Sequence, residues 1–514
     1  MSDQVDVVVI GSGINGLVAA AELAKAGWSV ALLERNDLLG GFIATEERTL
    51  PGYLHDTYSS WHPLFVSGPA YAALGEDLHR HGLEYRNTDY LVTASVADDG
   101  RTTLAYRDPE RTAGLFADSR DGEAYLAAVN GFLKIAEPFG ALLGSELRSP
   151  STILKGLKLA RAAGIGLLRD TVTSGRAYCR REFHGDEVDH LWSPWLLHAG
   201  LSPDHAAGGL MIPVLAATMH GFGLPVVAGG STGLIEAFGK LFAELGVQVH
   251  TGTHVERVVV EGGRAVGVVA AGRRIKARRA VLASCTPTAL VRDLLPRDAV
   301  EARFAERAER FRYGRAAMQI HVALSEPPAW SDALLGRIPL IHLSDGSGST
   351  GIACAQAEAG LLPAKPTVVV GQQHVLDPSR VPRGAAALWL QLQEVPFAPA
   401  GDAAGELDTS NGWTRELADA YATRVLDRVA AHAPGLAATI RAVDVVTPVD
   451  LAAHNVNAVH GDPYGGAGEL DQSFLWRPGP RGTVPGLWHI GASTHPGPGL
   501  GGASGHLVAQ RLLG

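Results

Sequence analysis

Two glycine-rich turns near opposite ends of the chain hold the residues best suited to chemistry. The first, Gly11-Ser12-Gly13-Ile14-Asn15-Gly16, follows the apolar run Val5 to Ile10 and opens the helical stretch Leu17 to Ala26. A GxGxxG turn placed this way binds phosphate. Gly11 permits the tight turn, Gly13 admits a pyrophosphate where a Cβ would intrude, and Gly16 lets the helix lie close to the strand. The N–H groups left free at the helix start carry a partial positive charge toward the anion. A second strand, Ser29 to Leu33, ends at Glu34, about 20 residues past the turn, where an acid can accept hydrogen bonds from ribose hydroxyls. Arg35 counts with that contact. The negative charge of Glu34 repels a 2′-phosphate, which disfavours NADP and leaves NAD and FAD open.

The second turn runs from Gly491 to Gly505 (GASTHPGPGLGGASG), between the short strand Leu487 to Ile490 and the terminal helix His506 to Leu513. Gly491, Ala492, Thr494, Gly501 and Gly502 form a second cradle for anions and carbonyls. An enzyme that holds NAD alone has no need of one so far down the chain. A flavin does, because its ribityl chain and pyrimidine edge need donors and its reduced ring becomes anionic. FAD is therefore the expected cofactor.

Flavin dehydrogenation needs a C–H aimed at the ring and often a base for the partner proton. His495 in the second cradle, placed to donate toward a flavin carbonyl, and His220, in Met219 to Gly223 and placed to line the pocket, are candidates for the catalytic role. His184, His190, His198, His205 and His220 invite a metal reading, but their gaps fit neither HxxxH nor HExxH and no cysteine pair assists; no metal is expected.

These residues need a scaffold of two domains, since 514 residues exceed the size at which one core keeps growing. Gly230 to Arg292 reads as a helix (Leu234 to Glu244), a strand (Gln248 to His250), a hairpin through Gly262-Gly263 and a buried strand (Ala280 to Ala283). The expected architecture is α/β: a Rossmann-like FAD-binding domain from residues 1–88, 226–293 and 451–514, with an inserted α+β substrate domain from 89–225 and 294–450. The net charge of −9 and the absence of a basic block argue against nucleic acid. Three cysteines without a CxxC pair, and an N-terminus that runs straight into a strand, point to the cytoplasm. No uninterrupted apolar run reaches the roughly 18 residues of a membrane span. Leu154 to Arg169 (LKGLKLARAAGIGLLR) is basic and partly amphipathic, which suits a solvated helix or a peripheral membrane contact.

Longer stretches carry a family resemblance. ERNDLLGGFIATEE, with the doublet Gly40-Gly41, resembles the segment that follows the first βαβ unit in glutathione-reductase-type FAD proteins. GASTHPGPGLGGASG, GDPYGGAGELDQSFLWRP, MQIHVALSEPPAW and EERTLPGYLHDTYSSWHPLF resemble phytoene-desaturase-related oxidoreductases of the amine-oxidase-like FAD superfamily, in order along nearly the whole chain. The resemblance implies that Gly40 and Gly41 wrap the pyrophosphate, that Val255 meets the adenine through its backbone, and that Ser284 runs beside the cofactor. It also implies that His62 belongs to a segment near the flavin ring, which makes it a third candidate for the catalytic base. Phe42 stands where an arginine is common in the wider superfamily. The activity implied is an FAD-dependent dehydrogenase, desaturase or oxidase that removes two hydrogens from a mostly apolar, lipophilic substrate, with oxygen or a quinone as electron acceptor. Flavin amine oxidation, a redox-neutral carotenoid-type isomerisation, and a non-catalytic binding module like Rab GDP-dissociation inhibitor stand as alternatives.

Overall fold

The apolar run at the N-terminus forms the strand Gln4–Ile10 in the computed structural model, which describes residues 4–146, 150–473, 476–482 and 484–514. Residues 474 and 475 of the family-like stretch near the C-terminus lie outside them. Gln4–Ile10 sits between Arg273–Ser284 and Val30–Leu33, parallel to both. Buried on two faces, it has no use for alternation, which explains its unbroken run of valines. Gln248–His250 continues the sheet beyond Val30–Leu33, and Leu487–Ile490 lies parallel beside Arg273–Ser284. Ile10 pairs with both Ala283 and Leu33, and Ile490 pairs with Ser284, so these four strands end along one edge. Gly11, Glu34, Cys285 and Gly491 all emerge there, at the carboxyl edge where open α/β sheets bind ligands.

Arg273–Ser284 is longer than the buried stretch the sequence marks. Its first half pairs antiparallel with Arg264–Ala270. Ile275 and Ala277 point inward there, while Arg273, Arg274, Lys276, Arg278 and Arg279 are exposed, so an apolar-run criterion passes over it. The helices Ile14–Lys25 and Ala503–Leu513 pack together, close enough that a Cβ on Gly505 would lie 2.0 Å from Asn15 O.

A second seven-stranded sheet takes the order Ile440–Val446, Ala316–Leu324, Ala386–Val395, Val368–Gly371, Leu340–Leu343, Leu91–Val96, Thr102–Tyr106. Leu388, Leu390, Leu392, Met318 and Ile320 direct one face of it into a core shared with Tyr421 and Val425 of the helix Arg415–Ala430. Its opposite face carries Val92, Ala105, Leu340, Val369 and Trp389 into another core with Tyr125, Trp192, Leu196 and Ala216. A buried ion pair ties the two halves: Arg380 Nη1 lies 2.6 Å from Asp56 Oδ2, and Arg380 Nη2 donates to Val227 O at 2.6 Å.

Two long helices, Ser119–Leu143 and Pro150–Val172, extend the second half, the latter broken at Gly164. Ser119–Leu143 is long and apolar enough by composition to cross a membrane, although Lys134 and Glu137 interrupt its apolar run. Ile153, Leu154, Leu157, Ile165, Leu168 and Val172 are exposed on its neighbour.

Candidate active site

A cavity of about 540 Å³ runs from the first glycine turn to the inner face of the second sheet. Gly13, Ile14, Asn15, Gly40, Gly41, Ser284, Gly491 and Ala492 line its near end. Both glycine turns therefore open onto one space. Gly13 begins the helix Ile14–Lys25 without a side-chain cap, leaving the first N–H groups free for an anion. A Cβ built on Gly13 would meet no protein atom within 4 Å. It would project instead into open space of the cavity that Gly13 lines; a Cβ added to Gly41, by contrast, would lie 3.2 Å from Gly13 Cα and 3.8 Å from Asn455 Nδ2. Gly16 differs: its Cβ would come within 2.0 Å of Gly11 O and 3.6 Å of Val9 Cγ1, so it closes the turn on itself before it meets the strand. A narrow, backbone-lined cleft with unspent donors fits the diphosphate of a dinucleotide.

Residues 454–457, which the sequence analysis passed over, brace this cleft. His454 Nε2 lies 2.9 Å from Gly41 O, and Asn457 Nδ2 donates to Ser284 O at 3.1 Å. Phe42 lines the cavity, with its ring 5.1 Å from that of Tyr58. Glu34 proves to be partly occupied by the protein itself. Its carboxylate accepts from Ser12 N–H at 2.9 Å, Ser12 Oγ–H at 2.7 Å and Asn36 N–H at 2.9 Å, leaving about one of four acceptor directions for a ribose hydroxyl. Arg35 is exposed beside it. Val255 is buried at the start of its strand, close to Glu34 because Thr253 N–H donates to Glu34 O at 2.7 Å. Thr494 fastens the second turn, bonding Gly491 O at 2.9 Å and Ser504 Oγ at 2.7 Å, while Gly501 packs on Leu64 O and Gly502 starts the terminal helix.

None of the three histidines expected as bases lines the cavity. His62 is fully buried behind Trp61 and Pro63, with Nδ1 2.9 Å from Tyr85 Oη; burial lowers its pKa to about 4. His220 spends both ring nitrogens on structure, Nε2 with Tyr125 Oη and Nδ1 with Tyr106 O at 2.7 Å. His495 is buried in the second turn, where burial lowers its pKa against the pull of the Leu143 and Ser145 carbonyls. Their chain neighbours reach the cavity while they point away. The histidine in the described wall is His198, whose Nε2 lies 3.0 Å from His342 Nε2. Burial lowers its pKa to about 4, so it stays neutral.

Elsewhere, Asp118, Asp121 and His184 bring one ligand atom each to within 4.8 Å. Asp121 already accepts the N–H groups of His184 and Gly185, and Asp118 caps a helix, so protein contacts account for the cluster. Ser231 has GxSxG spacing (Gly229 to Gly233), but its hydroxyl donates to Ala44 O at 3.1 Å and neighbours Thr45 Oγ1 at 3.3 Å, not a histidine.

Arg477 is the one arginine or lysine among the described wall residues, and nothing in the sequence singles it out. Its guanidinium is buried and donates only to carbonyls: Nε to Ala492 O at 3.0 Å, Nη2 to Ala492 O at 2.6 Å and to Tyr464 O at 2.8 Å. Burial lowers its pKa to about 10, partly offset by Asp462. Asp462, the one carboxylate among the described wall residues, accepts N–H bonds from Gly314, Tyr464 and Gly466 at 2.7–2.8 Å. Burial raises its pKa. The far end of the cavity is apolar, with Phe139, Leu143, Trp195, Met211 and Leu215.

Comparison with known proteins agrees with this geometry. The profile of the flavin containing amine oxidoreductase family matches residues 14–513. A rat pyridine nucleotide-disulfide oxidoreductase domain-containing protein 2 is 26% identical over 99% of this chain and 93% of its own length. A phytoene dehydrogenase of Streptomyces griseus is 27% identical over 99% of this chain and 95% of its own. The solved structure of an oxidoreductase from Methanosarcina mazei shares the fold, with a TM-score of 0.64 and 16% identity, covering 98% of this chain and 99% of that one.

Proposed function

The chain belongs to the flavin containing amine oxidoreductase family and is an FAD-dependent oxidoreductase; from that premise we propose that it removes two hydrogens from a mostly apolar organic substrate. One observation carries this reading: the cleft at Gly13 and Gly41 and the apolar pocket at Trp195, Met211 and Leu215 are parts of a single cavity. When bound, FAD supplies the two-electron acceptor.

The protein's part is to bind, orient and keep dry. The helix start at Gly13 and the Nδ2 group of Asn455, whose Oδ1 already accepts from Asn457 N–H, would face the phosphates, and Glu34 keeps an acceptor for a ribose. Arg477 places a fixed cation beside Ala492, where negative charge on a reduced ring would be stabilised. Phe139, Leu143 and Met211 exclude water from the reacting end. The electrons leave to oxygen, a quinone or another carrier. A lipophilic substrate fits the exposed side chains of Pro150–Val172, where Ile153, Leu154 and Leu157 stand beside Lys155 and Lys158, a pairing suited to peripheral contact with anionic lipid.

The test is anaerobic mixing of the FAD-bound protein with isoprenoid, acyl and amine compounds while following flavin absorbance. Bleaching by an apolar compound supports the reading. Bleaching by amines alone, or by none of them, overturns it.

A further inference from the structure

The cavity floor carries polar groups that an apolar substrate would not need. On Ala386–Val395, Trp389, Gln391 and Gln393 alternate with Leu388, Leu390 and Leu392; the leucines enter the core and the other three line the cavity. Gln319 stands directly opposite Gln391 in the antiparallel register and lines the cavity too. Three carboxamides thus share one face of a sheet buried on both sides, where apolar residues are the rule.

These amides are only partly spent within the protein. Gln319 Nε2 donates to Tyr58 O at 2.6 Å, but its Oε1 has no partner. Gln393 Nε2 donates to Tyr464 Oη at 2.7 Å, again with Oε1 unpartnered. Flipping that amide would let Oε1 accept the Tyr464 hydroxyl but strand the NH₂ group instead, so either orientation leaves one polar group open. Among the described residues the Gln391 side chain has no hydrogen-bond partner, and Trp389 Nε1 lacks an acceptor.

We propose that the substrate is an uncharged lipophile bearing a hydroxyl or carbonyl oxygen, and that Gln319, Gln391, Gln393 and Tyr464 receive that oxygen. The proposal rests on the oxidoreductase function above and names its substrate class. A bare hydrocarbon would seal these amides away from water unpaired, at a cost of about tenfold in affinity for each. A protonated amine meets a different obstacle. The wall's one described carboxylate, Asp462, is committed to three backbone N–H groups, and Arg477 already places a positive charge there. The wall pairs Phe42–Tyr58 and Trp195–His198 touch each other, with centroids 5.1 and 4.7 Å apart, and leave no gap between rings for a cation.

The test measures binding to the oxidised, FAD-loaded enzyme from changes in the flavin absorption spectrum. Farnesol, farnesal, farnesene and farnesylamine serve as ligands that share a carbon skeleton. The alcohol and aldehyde should bind at least tenfold more tightly than the hydrocarbon and the amine. Gln391→Leu should narrow the gap to farnesene by about tenfold while FAD content stays unchanged. Equal binding of farnesene or farnesylamine, or binding of none of the four, overturns the proposal. Comparing the four on the native enzyme decides the matter even where Gln391→Leu fails to fold. A flavin-loaded enzyme with the wrong ligand order sinks this inference alone, whereas protein that takes up no FAD sinks the parent function with it.

Discussion

Gly13→Val separates binding from folding more cleanly than any other substitution in this chain. Gly13 has φ −61°, a conformation any L-residue adopts, so the backbone tolerates the change. No protein atom lies within 4 Å of the new Cβ, so the first added carbon meets open space in the apoprotein. Losing a glycine at a helix N-cap costs up to about 1 kcal/mol, and reduced freedom in the unfolded chain returns a similar amount. Apoprotein stability should therefore stay within about 1 kcal/mol of wild type. FAD affinity should fall at least 100-fold, about 2.7 kcal/mol, because the new side chain takes up open space in the cavity beside the helix start. Gly16→Ala provides the contrast. Its Cβ would sit 2.0 Å from Gly11 O, a clash inside the turn, and should cost about 3 kcal/mol of apoprotein stability. Urea unfolding of both apoproteins and FAD titration by fluorescence quenching measure the two quantities. If Gly13→Val binds FAD within threefold of wild type, the phosphate site lies elsewhere and the reasoning fails.

Arg380→Met should destabilise the fold by about 3–5 kcal/mol in urea, since it leaves Asp56 buried without its partner; a loss below about 1 kcal/mol would show that the pair is dispensable. His220→Phe should cost about 1–3 kcal/mol by orphaning Tyr125 Oη and Tyr106 O, yet leave the pH profile of flavin reduction unmoved; a lost limb in that profile would restore it as a base. His55, His62, His198, His220, His374 and His489 are held near pKa 4 by burial, below the 6.5 of an unfolded histidine. Below pH 6.5 the unfolded chain therefore binds more protons than the native one. Each of these groups costs up to about 1.4 kcal/mol of stability per pH unit as pH falls from 6.5 to 4, so the melting temperature should drop steeply in that window; a flat profile would contradict their burial. Arg477→Met should lower the midpoint potential of bound flavin by about 30 mV or more, equivalent to about 1.4 kcal/mol for two electrons, as read by dye-coupled reductive titration. An unchanged potential would place the cation away from the ring.

What could be read from the sequence was local. Gly11 to Gly16, Glu34 and the Gly491 to Gly505 turn carry their meaning in consecutive residues, and the structure brings both turns to one cavity. The strand Arg273–Ser284 was half legible, because its basic outer face masks the alternation of Ile275 and Ala277. The cavity floor was not legible. Gln319 and Gln391 become neighbours only when strands 72 residues apart pair in register, and a glutamine in an apolar strand does not announce which face it takes. The histidines misled for the opposite reason. Residues flanking His62 and His495 do reach the cavity, but chain proximity does not fix side-chain direction, and burial with Tyr85 or inside a turn claimed the rings instead. Arg477 stood in plain view within FLWRP, yet only folding shows that its partners are carbonyls rather than an acid.

The closeness of Asn15 and Gly505 has a consequence for biosynthesis. Gly505 N–H bonds Asn15 Oδ1 across 490 residues of chain. At roughly 5–20 residues per second, a ribosome takes roughly 25–100 seconds to make that intervening stretch. The nascent N-terminal strand and helix must wait that long for the last helix to cover them, with their apolar inner faces in need of protection. Loading of the redox group thus belongs after the helix Ala503–Leu513 has been made and folded back, and a chaperone-depleted cell should accumulate newly made protein that is colourless before it is yellow.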